Sequence, residues 1–143
     1  MNSFERPDDY TPKELMVGAG INTGLYNQWL YRDIFTATHE ADGPGTISSY
    51  SFSDILAVAV IVRLRRADIR LKKASRLARR IVTGLNEWRQ KHMGEDWPMV
   101  YVSFDEGKVG IDIGEDRNKE MVVRLNIDTV VNNICGRIEE MKP

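Results

Sequence analysis

Tyr10-Thr11-Pro12-Lys13-Glu14-Leu15-Met16, then Gly18-Ala19-Gly20-Ile21, then Asn22-Thr23-Gly24-Leu25-Tyr26-Asn27-Gln28-Trp29-Leu30-Tyr31 form one nearly continuous run. Thr11 is a good helix N-cap, Pro12 suits the first helical position, and Glu14 completes a Thr-x-x-Glu capping box. Leu15, Met16 and Ala19 supply the buried side of this first helix. Gly18 and Gly20 stand where the chain must turn with positive φ. Asn22 or Thr23 then caps a second helix, on which Leu25 and Trp29 lie four apart on one face. Its other face carries Thr23, Tyr26, Asn27, Leu30 and Tyr31. Two short helices across a glycine turn are a helix-turn-helix signal.

Downstream, residues 36–50 have Gly/Pro loop chemistry at their centre and room for short flanking strands, the pattern of a wing. Ser51-Phe52-Ser53-Asp54 is a second capping box, directly before the apolar run Ile55 to Leu64. The β-branched content of that run also suits a strand, but the cap, the alanines and the continuation into Arg65-Arg66-Ala67 favour a buried helix. Asp68-Ile69-Arg70 breaks it. Leu71, Ala74, Ala78, Ile81, Val82, Leu85 and Trp88 then recur at three and four, predicting an amphipathic helix to about Met93 with Gly94 as its stop. Lys72, Lys73, Arg76, Arg79 and Arg80 line its other side.

Charge is distributed unevenly. Residues 1–59 carry three basic against eight acidic side chains, net -5; residues 60–92 carry eleven against two, net +9; residues 93–143 carry six against eleven, net -5. A positive block inside an acidic chain steers polyanions, and nine excess charges exceed what solubility requires.

The last third reads as three alternating apolar sets ending near Phe104, Ile113 and Ile127, which predict a three-strand meander. Asp128 then caps a helix with Val130, Val131, Ile134, Ile138 and Met141 on one face. A βββα piece of this size buries little surface by itself, so it is expected to pack on the long helix or on a second copy.

Composition sets the outer bounds. The chain has 143 residues, 42% hydrophobic and 29% charged, as in a folded domain. The single Cys135 builds no disulfide or thiolate cluster and fits a reducing cytosol. The first nine residues lack the apolar run of a secretion signal, and the longest apolar run, Ile55 to Val62, is too short to span a bilayer. His39 beside Glu40 and Asp42 reads as a loop histidine, and no metal or cofactor is expected. Dinucleotide, phosphate-loop, zinc-protease and serine-nucleophile signatures are absent from the sequence, so no catalysis is expected.

Residues 10–77 resemble the DNA-binding domain of the MerR family of bacterial transcription regulators and the related excisionase-like winged helix proteins. Tyr10-Thr11-x-Lys13-Glu14-Leu15 resembles the family's opening helix, Gly20-Ile21-Asn22 its turn, and Trp29 its recognition-helix aromatic. Tyr50-Ser51-x-x-Asp54 resembles the step from wing to third helix, and Ile61-x-x-Leu64-Arg65-Arg66-Ala67-Asp68-Ile69-Arg70-Leu71 the helix–break–helix after it. The sequence departs from the pattern at Asn27 and Ser48, where arginines are usual, and at Asp68, where a glycine is. Those changes leave Arg63, Arg66, Arg70, Lys72 and Lys73 as the expected phosphate anchors.

The expected fold is therefore α+β. It comprises an N-terminal winged helix-turn-helix of four helices over residues 1–70, a long basic connecting helix over 71–96, and a βββα dimerisation or accessory unit over 97–143. The expected function is a cytoplasmic, homodimeric regulator binding double-stranded DNA. Asn22, Thr23, Tyr26, Asn27, Gln28, Tyr31 and Arg32 would read or flank bases, and Thr46, Ser48, Ser49 and Tyr50 would serve from the wing. Dimerisation is assigned to the C-terminal unit and long helix. The tail has neither a multi-cysteine site nor the length of a drug-binding domain, which argues against an effector. Two other expectations remain open: a phage-type architectural DNA-binding factor, and a protein-interaction module on a degenerate helix-turn-helix fold.

Overall fold

A computed structural model describes residues 9–40, 47–105, 107–117 and 121–143. In chain order it contains α1 (Pro12–Ala19), α2 (Thr23–Tyr31), α3 (Phe52–Arg66), α4 (Leu71–Lys91), β1 (Met99–Asp105), β2 (Lys108–Ile113), β3 (Val122–Asn126) and α5 (Ile127–Glu140). This is an α+β chain. Among the described residues before Asp68 there are three helices, not four, and the fourth is the long basic helix itself.

Local chemistry accounts for the helix ends. Both halves of the first capping box form: Glu14 N–H donates to Thr11 Oγ1 at 3.0 Å, and Thr11 N–H to Glu14 Oε1 at 2.9 Å. Gly20 ends α1 in the left-handed conformation at φ 78, with its N–H and that of Ile21 both donating to Met16 O. Asn22 caps α2 by accepting from Leu25 N–H at 2.8 Å. The second box also closes, with Asp54 N–H donating to Ser51 Oγ and Ser51 N–H to Asp54 Oδ2. Asp54 Oδ2 accepts from Thr38 Oγ1 as well, tying the loop before α3 to that helix's first turn.

α3 lies at the centre and packs against α1, α4 and α5. Ile55, Leu56, Val58, Ala59, Val60, Ile61 and Leu64 are all buried, so neighbours on several sides override the strand preference of its β-branched residues. The helix stops where Asp68 takes φ 62 and Ile69 N–H returns to Leu64 O. Aspartate tolerates that left-handed geometry better than most side chains, which is how a break usually served by glycine forms here without one.

The sheet corrects the meander expectation. Its order is β2-β1-β3, with β1 central and antiparallel to both neighbours. β1 and β2 form the hairpin, and β3 returns to the far side of β1, placing Leu125 opposite the buried Val100. The cap of α5 also differs: Asn126, not Asp128, accepts from Thr129 N–H at 3.1 Å.

Residues 97–143, expected as a unit of their own, share the core of the rest. One cluster of buried residues runs from Tyr10 through α3 and α4 to Val100, Val102 and Ile138. Two glycines permit close apolar packing between these segments. A Cβ on Gly18 of α1 would come within 3.1 Å of Ile138 on α5, and one on Gly84 of α4 within 2.6 Å of Ile113 on β2. Arg89 is buried in the same core, stacked 4.8 Å above the Trp97 ring and donating to Glu95 O. Among the described residues no helix is long and apolar enough to cross a membrane.

Candidate nucleic-acid interface

Two aromatic side chains hold α2 down. Trp29 is buried, and so is Tyr26, whose ring packs at 5.5 Å from Phe35 and edge-on at 6.3 Å from Tyr50. The two phenol oxygens share a hydrogen bond of 2.5 Å. Burial and that bond push the Tyr50 phenol above the ordinary tyrosine range, so it stays protonated. Tyr26 and Tyr50 are therefore core residues, a correction to their expected places at the interface. The placement follows from the helical period: with Trp29 facing inward, a residue three positions earlier shares its face.

What α2 presents outward is polar. Thr23, Gly24, Asn27, Gln28, Tyr31 and Arg32 are exposed, and Gly24, Asn27, Gln28 and Tyr31 share one face at three- and four-residue spacing. Tyr31 is 89% exposed. Asn22 is exposed too, but its carboxamide oxygen is committed to the cap, leaving only its N–H donors for a ligand. At about 1.5 Å per residue α2 is about 13 Å long, and the DNA major groove is about 12 Å wide and admits a helix.

His39 and Ser49 exchange backbone hydrogen bonds of 3.1 and 2.8 Å, and Tyr10 and Tyr50 form a second bridge. Residues 39 and 49 are thereby held side by side, with Ser48 and Ser49 partly exposed. Thr46 lies outside the described residues.

The basic side chains divide between two surfaces. An open groove of about 470 Å3 is lined by Gln28 and Arg32 from α2, Arg65 and Arg66 from the last turn of α3, and Leu71. A second, of about 210 Å3, is lined by Arg32, Lys72, Arg76 and Arg79 together with the acidic Asp33. Arg32 is common to both, so a continuous band runs from Arg66 across the end of α2 and along α4. Lys72, Arg76 and Arg79 form its stripe on α4 by their four- and three-residue spacing, spanning about 10 Å of helix axis. Among the described residues no carboxylate lies within ion-pair distance of any of these cations.

The band and α2 are mechanically joined. Ser75 is buried on α4, and its hydroxyl donates to Ile34 O at 2.6 Å. Arg79 Nη2 reaches Asp33 O at 3.3 Å. The turn after α2, with Asp33 at φ 54, is thus fastened to α4.

Three expected anchors stand elsewhere. Arg63 and Arg66 line a groove toward β3 and α5, so Arg66 serves both sides and Arg63 only the far one. Lys73 lies 5.1 Å above the Phe104 ring of β1, directed away from α2. Arg70 is exposed at the N-cap of α4. Conversely, Arg65, Arg76 and Arg79 join the band without having been expected as anchors, although Arg76 and Arg79 were read on the basic side of this helix with Lys72. Among the described residues no three His, Cys, Asp or Glu side chains cluster as metal ligands would. No protein-family model and no curated protein matches the chain.

Proposed function

We propose that the protein binds double-stranded DNA as a homodimeric regulator of transcription. The observation that carries this reading is the cationic band from Arg66 through Arg32 to Arg79, whose cations form no ion pair among the described residues, beside the exposed polar face of α2. In this reading α2 enters the major groove. Asn27 or Gln28 donates to and accepts from an adenine edge, and Tyr31 lies against the groove wall. Arg32, Arg65, Arg66, Lys72, Arg76 and Arg79 neutralise flanking phosphates, and the Ser75–Ile34 bond holds the two sets in register. The resemblance of residues 10–77 to MerR-like regulators gives the same assignment for α1 and α2. A homodimer supplies the two half-sites, about 34 Å apart, that a single short recognition helix needs for useful specificity. The edge strands β2 and β3 and the exposed Met121 lie in the C-terminal region to which the dimer contact is assigned.

The test is a duplex-binding isotherm at several salt concentrations. Each neutralised phosphate contributes about -0.9 to the slope of log affinity against log salt. A slope near zero would overturn the reading, and the exposed Tyr31 and Ile47 would then favour a protein partner. Genomic fragments retained by the protein separate the regulatory from the architectural job: a short inverted repeat is expected of a dimeric regulator.

A further inference from the structure

The chain has a second concentration of guanidinium groups on the side away from α2. Arg63 and Arg66 from α3, Arg124 from β3 and Asn126 from the β3–α5 junction rim a groove of about 300 Å3 floored by Val123, Leu125 and Val130. Arg137 from α5 joins Arg63 and Arg66 along an adjoining crevice. Three arginines from two elements thus line the groove, and a fourth, Arg137, lies in the crevice beside it.

Helix chemistry alone does not call for this. The C-terminus of α3 carries roughly half a negative charge, which a single cation satisfies, yet Arg63, Arg65 and Arg66 already crowd its last turn. Among the described residues Arg63, Arg66 and Arg137 have no ion pair, and the one acid engaged at the rim is Asp116, 3.7 Å from Arg124 at an exposed site. Arg137 also donates to Gly18 O at 3.3 Å. Arg63 is partly buried, and its proton affinity is lowered first by that burial and then by Arg66 and Arg137. Arg66, Arg124 and Arg137 are exposed beside it, and like charges gathered this closely favour an anion that compensates them. Guanidinium forks match phosphate oxygens bidentately, and several of them suit a dianion better than a carboxylate. The amide oxygen of Asn126 accepts from Thr129 N–H, which leaves its donor end for the same anion. The apolar floor and the volume, at the lower end of the range for small-molecule pockets, suit an organic body attached to that anion.

We propose that the groove between α3, β3 and α5 binds a phosphorylated small molecule, its phosphate held by Arg63, Arg66 and Arg124 and its body on Val123, Leu125 and Val130. The site does not rest on the DNA reading, since only Arg66 is shared with the groove beside α2. A ligand there touches the end of α3 whose arginines also face α2, so occupancy and DNA affinity are linked through Arg66.

Calorimetric titration of the full chain with adenosine 5′-monophosphate, inorganic pyrophosphate and unphosphorylated adenosine, at matched ionic strength, tests this. Saturable binding of the first two and not of adenosine is expected. Arg63→Met with Arg124→Met should weaken it about tenfold or more, as loss of charged hydrogen bonds does. Arg32→Ala with Lys72→Ala should leave it unchanged. No saturable binding of either phosphate compound, or an equal loss in the Arg32/Lys72 variant, overturns the site. If the Arg63/Arg124 variant instead loses duplex affinity as strongly as the Arg32/Lys72 variant, the phosphates are those of DNA and the proposal fails. Should that variant not fold, the Arg63 side-chain N–H resonance of the wild-type chain must shift on titration; an unmoved resonance is equally fatal.

Discussion

α3 and α4 lie side by side, and both are rich in arginine at some point along their length, yet they do opposite work. α3 is apolar on nearly every side, buries seven aliphatic and alanine residues between α1, α4 and α5, and keeps its cations for its last turn. α4 gives one stripe, Ala74, Leu77, Ala78, Ile81, Val82 and Leu85, to the core and the rest of its circumference to charge. A helix buried all round cannot carry a binding surface except at its ends, whereas an amphipathic one can devote a whole face to it. α3 is accordingly the scaffold and α4 the platform, and α2 is fastened to the platform.

Substitutions should separate these roles. Ile61→Ala, in the middle of α3, is expected to cost about 2–5 kcal/mol in chemical denaturation, because the surrounding helices cannot collapse into the vacated volume. If it costs no more than an exposed change, α3 is not the centre of the core. Ser75→Ala should cost about 1 kcal/mol, since it leaves the Ile34 carbonyl only the long 3.5 Å contact from Arg79 Nη2. It should also reduce duplex affinity through loss of register, and unchanged affinity would uncouple α2 from α4. Asn22→Ala removes the α2 cap for about 1 kcal/mol, read as faster amide exchange at Leu25. Arg76→Ala, on the exposed face of α4, should change stability by less than about 0.5 kcal/mol. Its salt slope should nonetheless fall by about 0.9. A stability loss on the scale of Ile61→Ala would make Arg76 structural and contradict the contrast drawn between the two helices.

A last, smaller effect concerns the junction of the two helices. Asp68 holds a left-handed conformation at φ 62, which costs most side chains about 1–2 kcal/mol. Asp68→Gly should therefore leave thermal stability unchanged or raise it slightly, the relief of strain outweighing the added freedom of the unfolded chain. A clear loss would mean that the aspartate side chain stabilises the turn.

Most local chemistry was legible, although the α5 cap fell to Asn126 rather than Asp128, and Gly18 lies inside α1 and leaves the turn to Gly20 alone. The Thr11 and Ser51 boxes, the glycine turn, the break at Asp68 and the apolar stripe of α4 are short-range patterns fixed by backbone hydrogen bonding and helical period, and each formed where the sequence placed it. The excess of cations in residues 60–92 was equally plain. Tertiary packing decided what no local rule contains. The helical period puts Tyr26 on the face of Trp29, and the pocket that Phe35 and Tyr50 supply is what fixed that face of α2 as the buried one. β3 took the far side of β1, which strand alternation alone leaves open. The arginines of one short turn parted, Arg65 toward α2 and Arg63 toward α5, because their neighbours on each side come from distant segments. Sequence determines the faces of each element through bonds among near neighbours; which face meets which partner depends on burying the whole apolar surface at once, and only the assembled fold settles that.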